Sequence, residues 1–236
     1  MFEFIDLIGT GPDGWGGALL KGMLVTLEIS IGAFVVGLGI GLLTALAKLN
    51  GGRVTVALAR GYTTVCRAVP ELLLILLLYY GGSMALNRLL EALGYAGVNV
   101  SGTPVAILVL GLVQGAYASE VFRGAIQAVP HGLIEAAQAF GMQKRRLFIR
   151  ITLPVMAPHA MAGLANLWIS LIKDSALISV VGTNELLYTA KQAGGSTRSF
   201  LTFFIAAGVL YYLITLVSNI FLGRLERRLR RWSVSH

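Results

Sequence analysis

Charge is scarce in this sequence: Asp, Glu, Lys and Arg make up 13% of its 236 residues, against about a quarter in soluble domains. So little charge beside 56% hydrophobic residues excludes a water-soluble fold, which at this length has no way to hide that much apolar surface. Cysteine is nearly absent as well. The single Cys66 rules out an internal disulfide and any Cys-based metal cluster, and it reads as a packing residue. His131 and His159 stand apart from each other and from any carboxylate cluster, so no metal site is expected. No G-x-x-x-x-G-K-[ST] phosphate loop occurs, and no nucleophile with a base stands in the apolar segments. No catalytic residue and no cofactor is therefore expected on this chain. A cationic leader is lacking too, because Glu3, Asp6 and Asp13 precede the first basic residue, Lys21, so no cleaved signal is expected.

What the sequence has is long apolar runs, with a mean hydropathy of +0.77. A helix needs about 20 residues to cross the hydrocarbon core, and lipid tolerates only helices or closed barrels. Continuous rather than alternating runs select helices. Five are read: residues 21–48, 54–82, 104–122, 154–172 and 200–222. The first holds Gly37 and Gly41 at small-xxx-small spacing, which suits close helix contact. Arg67 and Pro70 interrupt the second, so it is expected to break near Val69. Residues 83–103 are polar, with Asn87, Arg88, Glu91 and Asn99, and are read as a connection with a short surface helix.

The net charge of +8 does not imply nucleic acid, since the basic residues punctuate the apolar runs rather than coat one soluble face. Lys48, Arg53, Arg60, Arg123, Lys144, Arg145, Arg146, Arg150 and the tail from Arg224 to Arg231 gather on one side; Lys21, Arg88, Lys173, Lys191 and Arg198 fall on the other. The first side is read as the cytoplasm, placing the N-terminus outside and the C-terminus inside.

Within the cytoplasmic connection stands Glu135-Ala136-Ala137-Gln138-Ala139-Phe140-Gly141, followed ten positions later by Ile151-Thr152-Leu153-Pro154. Pro130 suits a helix start, the alanines are small helix formers, and Gly141 suits a left-handed C-cap. Small side chains let such a helix enter a groove of another protein; the alternative is an amphipathic helix lying in solvent or on anionic lipid. The pattern resembles the E-A-A-x-x-x-G-x₉-I-x-L-P signature of the membrane subunits of bacterial ABC importers. Thr26-Leu27-Glu28, Gly61-Tyr62-Thr63-Thr64, Arg67-Ala68-Val69-Pro70-Glu71-Leu72, Gly115-Ala116-Tyr117, Glu120-Val121-Phe122-Arg123 and Leu171-Ile172-Lys173-Asp174-Ser175 extend the likeness along the chain. It is similar to polar amino-acid permeases, and among them to the Q-type subunits of the histidine/lysine/arginine/ornithine and opine group. Ala68 departs from the glycine common there, and the Asp174-Ser175-Ala176 position varies among relatives, so the cargo stays open.

That resemblance implies an all-α polytopic protein of MetI-like importer-permease fold, one transmembrane domain over residues 1–236. The coupling loop over about 127–154 would use Glu135, Ala136, Ala137, Gly141, Ile151, Leu153 and Pro154. It also implies an ATPase dimer carrying ATP and Mg, a second permease (related or identical) and a periplasmic amino-acid binding protein, all in a bacterial inner membrane. A secondary transporter or channel acting alone is the rival reading, disfavoured by the small number of spans and the lack of an inverted repeat.

A charged group inside a span costs about 2.5–3.5 kcal/mol on insertion scales, which makes such residues candidates for substrate contact. Arg67 either grips a substrate carboxylate bidentately or snorkels to the cytoplasmic surface. Glu120 either receives a cationic group or pairs with Arg123 at i+3. Glu71 opens a helix after Pro70, where the dipole already favours a carboxylate. Lys173 and Asp174 stand at the outer end of the fourth run, bounding the path or pairing with each other.

Overall fold

Proline 70 divides the chain's second apolar run in two, and the rest of the architecture is arranged around that division. The computed structural model describes residue 9, residues 14–96 and residues 102–234, with side chains as far as residue 228. The readings made on Glu3, Asp6, Asp13 and Asn99, and on the side chains of Arg230 and Arg231, lie outside the described residues. Among the described residues every regular element is helical. In order they are α1 (Gly16–Asn50), α2 (Arg53–Ala68) and α3 (Glu71–Leu76), which runs through a π turn (Leu77–Gly81) into α4 (Gly82–Ala92). After these come α5 (Thr103–Gln127), α6 (His131–Ala139) and α7 (Lys144–Leu147). A second π turn (Phe148–Thr152) leads into α8 (Leu153–Asp174), a 3₁₀ turn (Ser175–Val181), α9 (Leu186–Thr197) and α10 (Phe200–Val234).

Among the described residues, five segments are long and apolar enough to cross a membrane: Gly16–Asn50, Glu71–Ala92, Thr103–Gln127, Lys144–Val181 and Phe200–Arg228. The number agrees with the sequence reading; two extents do not. The second segment begins after Pro70 rather than at residue 54 and includes residues 83–92, which were read as a polar connection. Val69 is extended at φ −93° and ψ 140°, as a residue before proline prefers, so α2 stops there and becomes a separate amphipathic helix. The fourth segment also continues past residue 172, because the 3₁₀ turn prolongs α8 to Val181.

The long α1 packs along α5, and glycine allows the approach. A Cβ on Gly41 would stand 2.6 Å from the Ala118 Cβ, and one on Gly37 3.3 Å from the Gly111 carbonyl oxygen. The first distance leaves no room for a methyl group and the second is tight, so the small-xxx-small spacing serves close helix contact. Gln114, buried beside Gly37, donates from Nε2 to the Leu167 carbonyl at 2.7 Å and ties α5 to α8. The rings of Phe34 and Trp168 meet edge to face at 5.3 Å between centroids, joining α1 to α8.

A buried polar tie joins three helices at α9. Gly182 turns the chain in the left-handed region at φ 84°, and Glu185 caps α9. Its carboxylate, fully buried, accepts from Leu187 N–H (2.9 Å), Tyr188 N–H (2.7 Å), the Tyr211 hydroxyl (2.7 Å) and the Thr26 hydroxyl (3.3 Å). One side chain thereby joins α1, α9 and α10. Burial pushes this carboxyl above the usual carboxylate range, the four donors opposing the shift.

Candidate functional site

The break at Val69 and Pro70 faces the middle of α5. Cys66, Leu74, Val113 and Ala116 are buried around it, with Tyr62, Val69, Leu78 and Tyr117 packed at their edge. Because α3 starts immediately after Pro70, Glu71 occupies its first turn at this depth. Tyr117, one turn short of Glu120 on α5, lies within electrostatic reach of Glu71, as does Asp174 at the end of α8. Arg67, in the last turn of α2, acts on the same tyrosine. Three sequence candidates, Arg67, Glu71 and Asp174, are thus brought together, and Tyr117 joins them. Asp174 is not at the outer end of its segment, since seven further residues follow in the 3₁₀ turn. Lys173 is exposed and acts on Asp174 through charge. Two half-buried carboxylates this near each other repel, so the arrangement favours a cation or a hydrogen-bond donor between them.

Glu120 is already occupied. It accepts Lys48 Nζ at 2.6 Å and the Arg123 guanidinium at 2.9 and 2.8 Å. Lys48 also donates to the Thr63 hydroxyl at 2.6 Å, and its side chain is 6% exposed. The pairing with Arg123 is the i,i+3 bond that the sequence allowed; Lys48, from the far end of α1, is the partner no local pattern reveals. This cluster closes one wall of a cavity of about 440 Å³ lined by Lys48, Arg60, Thr63, Thr64, Arg67, Ala68 and Glu120.

At the same end of the bundle lies α6. Pro130 caps its start, and Gly141 ends it in the left-handed region at φ 74°. Met142 N–H reaches the Ala137 carbonyl at 3.0 Å and Gly141 N–H that of Gln138 at 2.8 Å, a Schellman closure. Ala137 is buried toward the bundle, while Glu135 and Ala136 are exposed. Phe140 is 91% exposed, an aromatic on the helix's open end that sequence reasoning passed over. An alternation of small residues gave no signal for it. Ile151 and Thr152 belong to the π turn, and Leu153 and Pro154 to the first turn of α8, so the chain runs from α6 through α7 into the fourth segment.

Residues 37–231 match the family described as binding-protein-dependent transport system inner membrane component. The chain belongs to that family. The permease is 41% identical over 218 residues to the octopine transport system permease protein OccQ of Rhizobium radiobacter, covering 92% of each chain. It is 42% identical over 215 residues to the histidine/lysine/arginine/ornithine permease HisQ of Escherichia coli strain K12, covering 91% of this chain and 94% of that one. Nopaline permease NocQ of Agrobacterium fabrum is 39% identical over 217 residues. Among solved structures, an amino acid ABC transporter with histidines superposes with a TM-score of 0.76 at 28% identity, covering 91% of the permease and 95% of that chain. The inward-facing MetNI methionine transporter gives 0.67 at 20% identity, which speaks for the fold alone. The permease is therefore a multi-pass subunit of an ABC importer with the fold of that class, and such subunits work with an ATPase and other subunits.

Proposed function

We propose that the permease carries a polar amino acid, or an opine, with a cationic group, and that the break at Val69 and Pro70 is where the cargo is held. The observation that carries this is the convergence of Arg67, Glu71, Tyr117 and Asp174 at mid-depth. Glu71 and Asp174 receive the cationic group, Arg67 receives a carboxylate through its planar fork, and Tyr117 supplies a hydroxyl to either. Glu120 leaves the substrate list and becomes the partner of Lys48 and Arg123, while Lys173 moderates the charge on Asp174. The names of the OccQ and HisQ relatives support a basic amino acid or opine as the class.

In this reading the end that carries Lys48 and α6 is cytoplasmic, as the basic bias requires, so the N-terminus is periplasmic and the C-terminus cytoplasmic. The exposed face of α6 with Phe140 docks on a separate ATPase chain, which binds ATP and Mg. A second permease, related or identical, completes the path, and a periplasmic binding protein delivers the cargo. Uptake of L-arginine by the assembled importer in vesicles tests the site. Glu71→Gln and Asp174→Asn are expected to weaken uptake by about tenfold or more each, since each leaves a buried cation short of a charged partner. Wild-type rates in assembled variants would refute the assignment.

A further inference from the structure

Arg53, Arg60 and Arg67 recur every seven residues along α2, which keeps them on one line of the helix with about 10 Å between neighbours. All three are exposed in the chain. Among the described residues the ion pairs are Lys48 with Glu120 and Arg123 with Glu120, and no α2 arginine enters either. Arg60 and Arg67 both line the cavity of about 440 Å³. Its only carboxylate, Glu120, is taken up by Lys48 and Arg123, so the two guanidiniums face the cavity uncompensated, with the Thr64 hydroxyl beside them. Such a lining repels cations and attracts an anion that two planar forks can grip.

Position says which anion. Arg60 lies about 10 Å along α2 from Arg53 and lines the same cavity as Arg67, beside Lys48 of α1 and Glu120 of α5, whereas Arg53 at the helix start does not line it. One step beyond it toward the break is Arg67. We propose that Arg60 forms an exit subsite that accepts the substrate's carboxylate from Arg67 as the cargo leaves toward the α6 end. The proposal rests on the reading that Arg67 holds that carboxylate. A single tight arginine would retain its ligand; a second, within one step and nearer the exit, makes departure a transfer rather than a full release, as multi-site conduction requires.

The test uses the complete importer, with its ATPase, second permease and binding protein, in vesicles of defined lipid, with L-arginine as the probe. Arg60→Gln is expected to lower the maximal uptake rate by about tenfold, the loss of one charge-assisted bond, with the half-saturating concentration unchanged. Arg60→Lys is expected to restore part of the rate, because the charge is kept while a planar fork is lost. An unchanged maximal rate for Arg60→Gln overturns the proposal, as does a Lys variant no better than Gln, which would make Arg60 a packing residue. A defect present only in vesicles containing anionic phospholipid also overturns it, by assigning Arg60 to a headgroup. Arg67→Gln separates the two readings: it should raise the half-saturating concentration. If it leaves uptake unchanged while Arg60→Gln slows it, the substrate site at the break fails and the transfer from Arg67 falls with it, whereas a raised half-saturating concentration for Arg67→Gln beside an unchanged rate for Arg60→Gln overturns the exit subsite alone.

Discussion

Replacing Glu185 with alanine should unfasten the junction of α1, α9 and α10. The side chain is fully buried and takes two α9 amide protons and two hydroxyls, so alanine removes a helix cap and strands Thr26 and Tyr211. Cap loss costs about 0.5–2 kcal/mol and each stranded buried donor about 1–3 kcal/mol, for a total of about 3–6 kcal/mol when relaxation recovers part. Glutamine is a finer probe. Oε2 receives three donors and Oε1 only Tyr188 N–H, so an amide oriented to keep its oxygen at Oε2 opposes one N–H with its own and costs about 1–2 kcal/mol. Equilibrium unfolding of the purified permease in mixed micelles reads both variants. A loss below about 1 kcal/mol for Glu185→Ala would refute the reasoning, because a cap alone accounts for that much. The pH dependence follows with its sign. The folded carboxyl is raised, so its contribution is full below the ordinary value near 4.3 and is lost as pH rises through the folded value. Glu185→Gln should remove that slope.

Gly41→Ala should destabilise by about 1–3 kcal/mol through overpacking on Ala118, whereas Gly39→Ala, with no atom within 4 Å, should be neutral or stabilising by helix propensity; unfolding of the pair side by side decides it. Gly141→Val places a β-branched residue at φ 74° and should lower coupled uptake while membrane insertion persists, and Phe140→Ala should do the same at no folding cost because the ring is 91% exposed. Transport-coupled ATPase activity measures both, and unimpaired coupling in both variants would count against α6 as the docking element. For orientation, in a Cys66→Ser background, Arg198→Cys should react with an impermeant thiol reagent from the periplasmic side and Gln138→Cys only after the membrane is opened. Labelling of both from one side would overturn the proposed topology.

Composition and run length by themselves determined that this is a helical membrane protein with five spans, since lipid penalises unpaired backbone so heavily that few architectures remain. Local geometry was equally legible. Pro70 forbids continuous helix, Gly37 and Gly41 permit close approach, and Gly141 closes α6, because each acts through its own backbone and immediate neighbours. What the sequence could not decide was partnership across distance. Glu120 looked like a substrate carboxylate with a local rival in Arg123, and only the packing of α1 on α5 delivered Lys48, 72 residues away. Glu185 carried no signal at all until Thr26 and Tyr211 were folded against it. Asp174 reads as a segment end because Lys173 opens a stretch taken as polar up to Ser199, yet the 3₁₀ turn carries the segment onward to Val181 and leaves the carboxylate within reach of Glu71. Spacing along a chain fixes which residues share a helix face, but which faces meet depends on how the helices pack, and charge pairs form only there.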